Sequence, residues 1–200
     1  MTESSEYLPE VVYGAEQVAA LDRRFIEEFD VDGFELMQRA ARAAYEELAH
    51  IWAMPGTLCV FCGPGNNGAD GLLVADLARE GGWEVHAISL VGTEQYSGDA
   101  AKALSRYMDK GGTVENFSNA PIEADVVVDA LLGTGLNRDV EGDFAAAIER
   151  INEAGDAGIG VFAIDIASGI DASTGHVWAH AVRADATATF IGLKLGMLTG

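Results

Sequence analysis

The chain has 200 residues, of which 32 are acidic and 12 basic, giving a formal net charge of −20 at pH 7. Hydrophobic residues make up 49% of it, which is enough for one packed domain and predicts a single domain over residues 1–200. A surface this acidic repels phosphate backbones and anionic lipid, so nucleic acid and membrane surfaces are excluded as preferred partners.

The cysteine content and the absence of long apolar runs indicate in which cellular compartment the protein acts. No signal-peptide pattern opens the sequence and no apolar run reaches ~18 residues, which predicts a soluble, cytoplasmic protein. Cys59 and Cys62 fall in one apolar run, where side chains three apart face opposite sides of a strand. We therefore expect two buried thiols and not a redox pair.

Two amphipathic helices are predicted ahead of an alternating strand and helix pattern. Apolar residues recur at helical spacing over residues 14–29 and 34–52, and Asp32 with Gly33 marks the start of the second helix. After Pro55, short apolar runs alternate with helical stretches, as in a mostly parallel, doubly wound α/β sheet. The predicted strands are residues 57–62, 84–90, 113–117, 125–130, 160–166 and 186–191, and the helices between them are about residues 70–80, 97–110 and 142–153.

Three loops of unusual composition follow predicted strands. They read GPGNNGADG at residues 63–71, DALLGTGL at 129–136 and DIASGID at 165–171. In an open parallel sheet, ligands bind beyond the carboxyl ends of the strands, so these loops are the candidate site.

The first loop satisfies G-x-G-x-x-G through Gly63, Gly65 and Gly68. Free N–H groups at such a helix start suit a pyrophosphate. A dinucleotide oxidoreductase would also need an acid after the second strand, where residues 88–90 read Ile-Ser-Leu. An ordinary dehydrogenase is therefore disfavoured.

Polar side chains in the same loops indicate a ligand, although simpler interpretations exist for some. Asn66, Asn67 and Asp70 are expected on the first loop, where helix capping by Asp70 is the alternative. Glycines around Thr134 suit either a phosphate or a tight turn. Asp129 and Asp165 end apolar strands, where an unpaired carboxylate is costly to bury and a cation or hydrogen-bonded ligand would offset that cost.

The strings GPGNNGADG, VDALLGTGL and DIASGIDASTG, in this order, resemble the NAD(P)HX epimerase family, also called the YjeF N-terminal domain. Residues 35–41 and 184–194 extend the resemblance over nearly the whole chain. It implies a Rossmann-like three-layer αβα fold. It also implies an isomerase that interconverts the R and S forms of hydrated NADH or NADPH, a metabolite-repair reaction without hydride transfer.

The resemblance also implies the site residues and a K⁺ cofactor. Oxygens of an amide, a carboxylate and a hydroxyl suit such a large monovalent cation. The implied potassium ligands are Asn67, Asp129 and Ser168. The implied substrate contacts are Asn66, Asn67, Gly68, Ala69, Asp70, Gly133, Thr134, Gly135, Leu136, Asn137, Arg138, Asp139 and Asp165.

Epimerisation requires a positioned proton donor. The hydroxyl next to the ring nitrogen must be protonated and released, and water must return to the other face. Asp165 is the first choice for this carboxyl group and Asp70 the second. Arg138 is the candidate contact for a 2′-phosphate, with a solvated loop charge as the alternative.

Four substitutions depart from the family pattern. Ala41 and Ala69 replace glycine, and Ala167 and Leu195 replace proline. If residue 69 needs a left-handed backbone, alanine costs roughly 1–2 kcal/mol there. A divergent, non-catalytic nucleotide-binding or dimeric interaction module is therefore the alternative function. For the epimerase, a homodimer and a separate NAD(P)HX dehydratase are the expected partners, because 200 residues leave no room for a fused one.

The charge balance predicts a dependence of stability on salt. Only three lysines accompany nine arginines, an acid-rich and lysine-poor pattern associated with high-salt, halophilic cytosols. Self-repulsion is screened when the Debye length falls to about 3 Å at 1 M salt. We expect the thermal midpoint to be higher in molar KCl than in dilute buffer, measured by scanning calorimetry. Equal midpoints would contradict the idea.

Overall fold

The computed structural model of the protein describes residues 11–199. No helix in that range is long and apolar enough to cross a membrane. The strands are β1 (Val12–Tyr13), β2 (Thr57–Cys62), β3 (Glu84–Ser89), β4 (Val114–Asn116), β5 (Val126–Ala130), β6 (Gly160–Ile164), β7 (Ala186–Ala188) and β8 (Leu193–Lys194). The helices are α1 (Ala15–Phe29), α2 (Gly33–Ile51), α3 (Asn66–Glu80), α4 (Gly98–Asp109), α5 (Gly142–Asp156) and α6 (Gly196–Thr199).

Six strands form one parallel sheet in the order β4-β3-β2-β5-β6-β7. The chain winds outward from β2 to β4, then returns to the other side of β2 through β5, so the winding reverses between β2 and β5. Strands β1 and β8 pair separately, also in parallel. The predicted doubly wound α/β architecture is confirmed, and its reversal point lies where ligands bind in such sheets.

Alternation along the strands divides the core into two layers. On β2, Val60 and Cys62 pack with α2, α3 and α4, whereas Cys59 and Phe61 pack on the opposite face with α5. Both cysteines are free and buried, as predicted, and burial raises the pKa of Cys59 to about 12. The three-layer αβα arrangement follows from this alternation.

Helix α3 starts earlier than the sequence predicted. It begins at Asn66 and not at Asp70, with Gly65 as its N-cap residue and a bond from the Ala69 N–H to the Gly65 carbonyl of 3.0 Å. The expectation that Asn66, Asn67 and Asp70 lie on a loop was therefore wrong, because they occupy the first turns of the helix. Ala69 lies in the same right-handed helix, so the left-handed cost considered for it does not arise.

The chain departs from the predicted strands after β6 and β7. Strand β6 ends at Ile164 and β7 at Ala188, before the predicted ends at residues 166 and 191. Beyond them, Asp165 has φ of 67° and Ile191 has φ of 65°, left-handed conformations that no strand continues through. The short elements β1, β8 and α6 were not predicted, because segments of two to four residues carry no periodicity.

Candidate functional site

A cleft of about 1090 Å³ opens at the carboxyl ends of the central strands. Its walls come from helices α1 and α2, from the starts of α3 and α4, from residues 131–138 after β5, from Asp165 after β6 and from residues 189–191 after β7. The three loops singled out in the sequence thus border one space. Its size suits a ligand as large as a dinucleotide.

Two glycines allow the first two loops to approach. A Cβ at Gly63 would collide with the carbonyl oxygen of Leu131, and one at Gly68 would collide with the backbone of Gly63. These glycines therefore allow the backbone segments at the carboxyl end of the sheet to pack closely. Gly65, in contrast, is exposed beside the cleft, where the α3 amino terminus presents its unpaired N–H groups.

Asp129, Ser168 and Asn67 converge beneath the cleft. The Ser168 N–H donates to Asp129 Oδ2 at 2.7 Å, and its hydroxyl donates to Asp129 Oδ1 at 2.6 Å. The amide of Asn67 donates to the Leu132 carbonyl at 3.0 Å, and the Leu132 N–H donates to Ser168 Oγ at 2.9 Å. Leu132 therefore joins the start of α3, the end of β5 and the loop after β6 into one polar cluster.

Among the described residues, the polar cluster leaves the Asp129 carboxyl group without an opposite charge and one amide oxygen without a hydrogen bond. Burial raises the pKa of Asp129 to about 6, although hydrogen bonds from Ser168 and Leu131 oppose the shift. The Asn67 Oδ1 atom is buried without a hydrogen-bond partner among residues 11–199. An uncompensated carboxyl group beside an unpartnered amide oxygen is a donor set that a monovalent cation fits.

Asp165 is held by an ion pair in the wall of the cleft. Its carboxylate accepts from the ammonium of Lys194, which has no exposed surface. Lys194 Nζ also donates to Thr189 Oγ1 at 2.7 Å and to the Phe190 carbonyl at 3.0 Å. Lys194 was not among the predicted site residues. The sequence contains one indication that Lys194 belongs to the site, because it is one of only three lysines and follows an apolar stretch.

Two further carboxyl groups face the same space. Burial raises the pKa of Asp70 well above its usual value, and the charges of Asp165 and Asp22 raise it further while Lys194 opposes them. Burial and the Asp165 charge also raise the pKa of Asp22. Asp22 was not predicted, although its spacing from Val18 and Ile26 places a charge on a largely apolar helix face.

The structure brings most, but not all, of the predicted substrate contacts to the cleft. Asn66, Asn67, Asp70, residues 133–138 and Asp165 line it. Gly68, Ala69 and Asp139 do not, because the first two are buried inside the start of α3 and the third lies on the exposed side of its loop. Asp129 and Ser168 lie below the cleft floor in the polar cluster.

Proteins similar to this chain include a bifunctional enzyme, a shorter epimerase and a solved structure. It is 37% identical over 190 residues to the bifunctional NAD(P)H-hydrate repair enzyme Nnr of Coxiella burnetii, covering 94% of this chain and 38% of that protein. It is 32% identical over 193 residues to the NAD(P)H-hydrate epimerase of Limosilactobacillus fermentum, covering 92% of this chain and 88% of that one. The crystal structure of yeast ynu0 shares the fold, with a TM-score of 0.83, 16% identity, and coverage of 94% and 83%.

The chain spans well under half the length of the bifunctional relative and nearly all of the shorter one. Residues 33–196 match the family described as YjeF-related protein N-terminus. That range holds the start of α3, the polar cluster, Asp165 and Lys194. The chain belongs to the family of the YjeF-related protein N-terminus.

Proposed function

We propose that the protein is an epimerase of hydrated NADH and NADPH, interconverting the R and S forms. The observation that carries the proposal is the single cleft at which a helix amino terminus, a glycine-rich loop and several carboxyl groups meet. The names of the relatives, NAD(P)H-hydrate epimerase and bifunctional NAD(P)H-hydrate repair enzyme, support the same reaction.

The cleft offers polar groups to the phosphates of a dinucleotide and apolar surface to its rings. The unpaired N–H groups of α3 at Gly65 and Asn66 suit the pyrophosphate. Leu136, Phe190 and Ile191 offer apolar surface to the rings. Arg138 is exposed at the rim, where its charge would meet a phosphate of the substrate.

The carboxyl groups supply the chemistry. A proton on the substrate hydroxyl lets the C–O bond break and water leave, with the electron pair of the ring nitrogen forming a C=N bond. Water then adds to the other face and returns a proton, so no redox change occurs. Asp70 is the proton donor in this proposal, since its surroundings keep it protonated at higher pH.

The assignment of the proton donor revises the sequence-based preference for Asp165. One oxygen of the Asp165 carboxylate, Oδ1, already accepts from the Lys194 ammonium, so this group forms an ion pair in the wall of the cleft. Its negative charge suits a different task, namely stabilising the positive charge that develops on the ring. Asp70 has no such cation bound among residues 11–199.

We propose that the polar cluster holds K⁺ through Asn67, Asp129 and Ser168. The unpartnered Asn67 oxygen and the buried Asp129 carboxyl group support this choice. A bound cation would supply the positive charge that Asp129 lacks and fix the loops after β5 and β6.

Potassium is expected to stabilise the protein beyond the general effect of salt. At 100 times the dissociation constant, a ligand specific for the folded state adds about 2.7 kcal/mol. Thermal midpoints should be higher in KCl than in LiCl at the same ionic strength, which keeps screening of the −20 charge equal. The difference should vanish in Asn67→Ala. Equal midpoints in both salts for the unaltered protein would remove the cation from the proposal.

The direct test is the conversion of one purified epimer. Incubation of R-NADHX or R-NADPHX with the protein, followed by chiral chromatography, should give the equilibrium mixture far faster than buffer alone. Binding without conversion would instead support the non-catalytic nucleotide-binding module that Ala167 and Leu195 suggest. The expected partners of an active enzyme are a second copy of the chain and a separate dehydratase that consumes one epimer. We also propose that residues 1–200 form one domain and that the protein acts in the cytoplasm.

A further inference from the structure

The segment after β7 enters the cleft through a strained turn. Ile191 has φ of 65°, a left-handed conformation that is sterically unfavourable for a β-branched residue. The Gly192 N–H donates to the Phe190 carbonyl, two residues back, at 2.6 Å. This pattern is a γ-turn with Ile191 at its centre, in the form that is rare because its backbone is strained.

Contacts on both sides hold this turn in place. Lys194 Nζ donates to the Phe190 carbonyl at 3.0 Å, which is the same carbonyl that closes the turn. The Leu195 N–H donates to the Tyr13 carbonyl at 2.9 Å, and the Tyr13 ring lies so close to Gly192 that a Cβ there would collide with it. The surrounding structure therefore maintains a backbone conformation that the segment alone would rarely adopt.

The Ile191 side chain does not explain the strain through packing within the protein. Ile191 is 49% exposed and lines the cleft. A glycine would suit the left-handed backbone better, and a polar side chain would suit the exposure better. An apolar, strained residue in a cleft wall is therefore expected where a ligand covers the side chain.

The neighbourhood of Ile191 indicates which part of a ligand it meets. Asp165 forms a second γ-turn, after β6, with φ of 67° and a bond from the Ile166 N–H to the Ile164 carbonyl of 2.8 Å. The Phe190 N–H donates to Asp165 Oδ1 at 3.4 Å, so the residue before Ile191 is bonded to that carboxylate. In the proposed function, the Asp165 charge stabilises the reacting ring. That ring must then lie beside both turns.

We propose that Ile191 packs against the hydrated nicotinamide ring of the substrate and that the strained turn holds the side chain there. The inference rests on the proposed function and adds to it the residue that recognises the reacting ring. A β-branched side chain has few rotamers, so on a fixed turn it loses little conformational freedom when the ring binds. The contact sets the position of the ring relative to Asp165.

The test compares Ile191→Ala, Ile191→Gly and Ile191→Leu. Alanine removes the apolar side chain and keeps the strain, glycine removes both, and leucine keeps an apolar side chain. Ala179→Gly is the matched control, because Ala179 has φ of 63° in a turn closed by a bond of 2.7 Å from the His180 N–H to the Trp178 carbonyl, outside the cleft lining.

Two ligands distinguish the nicotinamide ring from the rest of the dinucleotide. One is the equilibrated mixture of R- and S-NADHX, and the other is ADP-ribose, which lacks the nicotinamide. Isothermal titration calorimetry gives both dissociation constants for each variant, and urea unfolding gives its stability.

We expect Ile191→Ala and Ile191→Gly to raise the dissociation constant of NADHX about tenfold and that of ADP-ribose less than about twofold, since only the ring loses an apolar contact. Ile191→Leu should bind NADHX within about threefold of the unaltered protein. In urea, Ile191→Gly should be more stable than Ile191→Ala, the reverse of the usual order, because glycine relieves the strain. Ala179→Gly should also be stabilised and should bind both ligands like the unaltered protein.

Three results would overturn the inference. Unchanged NADHX binding in Ile191→Ala would show that the side chain does not contact the substrate. An equal loss of affinity for NADHX and ADP-ribose would show that the contact is not with the nicotinamide ring. An Ile191→Gly protein less stable than Ile191→Ala would show that the turn stores no strain.

The binding measurements also separate the inference from the proposed function. If the unaltered protein binds NADHX without epimerising it, the proposed function fails, and the two dissociation constants still decide the role of Ile191. If the unaltered protein epimerises NADHX and Ile191→Ala binds it normally, the proposed function stands and the inference is wrong. A protein that binds neither ligand would contradict both.

Discussion

Asp70→Asn is expected to lower kcat for epimerisation by about 10²–10⁴-fold, the range that general acid catalysis contributes. Asparagine keeps the shape of the side chain and its place in α3 but has no proton of suitable acidity to give. The residual rate should lose the alkaline limb that Asp70 produces. Chiral chromatography of R-NADHX at a series of pH values measures both effects.

The same substitution is expected to raise stability at neutral pH. A carboxyl group whose pKa is raised in the folded protein binds its proton more tightly there than in the unfolded chain. Its stabilising contribution is complete below the unfolded pKa and is lost as pH rises through the folded pKa. Asp70→Asn removes that loss, so urea unfolding should show a smaller decline in stability with rising pH.

Asp143→Asn, an exposed change of the same kind on α5, is the control for both measurements and should behave like the unaltered protein. An Asp70→Asn protein with a kcat near that of the unaltered protein would refute the assignment. The proton donor would then have to be sought at Asp165, the group that the sequence favoured.

The sheet, and the end of it where the loops meet, could be predicted because they follow from the regular alternation of strands and helices along the chain. Strand β2 was predicted with its observed bounds, since the run Thr57–Cys62 is apolar and bounded by Gly56 and Gly63. The reversal of winding beside it brings Asp129 and Ser168 to the same end of the sheet. Side chains 39 residues apart can thus be placed together from topology alone.

The remaining features depend on single residues whose effect is visible only in three dimensions. The start of α3 at Asn66 depends on a glycine-rich turn that reads equally well as a loop. Lys194 contacts Asp165 after a segment in which Ile191 has a φ of 65°, a left-handed conformation that propensities argue against for a β-branched residue. Asp22 lies on a helix that folds across the cleft from the other end of the sequence.

Lys194→Met is the substitution expected to cost the most stability, about 3–5 kcal/mol, as when one member of a buried ion pair is removed. Lys194 has no exposed side-chain surface and Asp165 has 18%, so the carboxylate would keep little contact with water after losing its partner. Methionine replaces the aliphatic stem, which limits any cavity. Urea unfolding at constant ionic strength measures the loss.

The double variant Asp165→Asn with Lys194→Met separates the ion pair from the other bonds of the ammonium. Removing both charges should recover about half of the lost stability. It should not recover all of it, because Thr189 and the Phe190 carbonyl still lack the donor that Lys194 provides. Equal stabilities of the single and double variants would show that the unpaired carboxylate costs nothing and that these two hydrogen bonds account for the whole effect. Full recovery would show that Lys194 stabilises the protein only by compensating the charge of Asp165. The segment from Thr189 to Phe190 would then keep its conformation without the Lys194 hydrogen bonds.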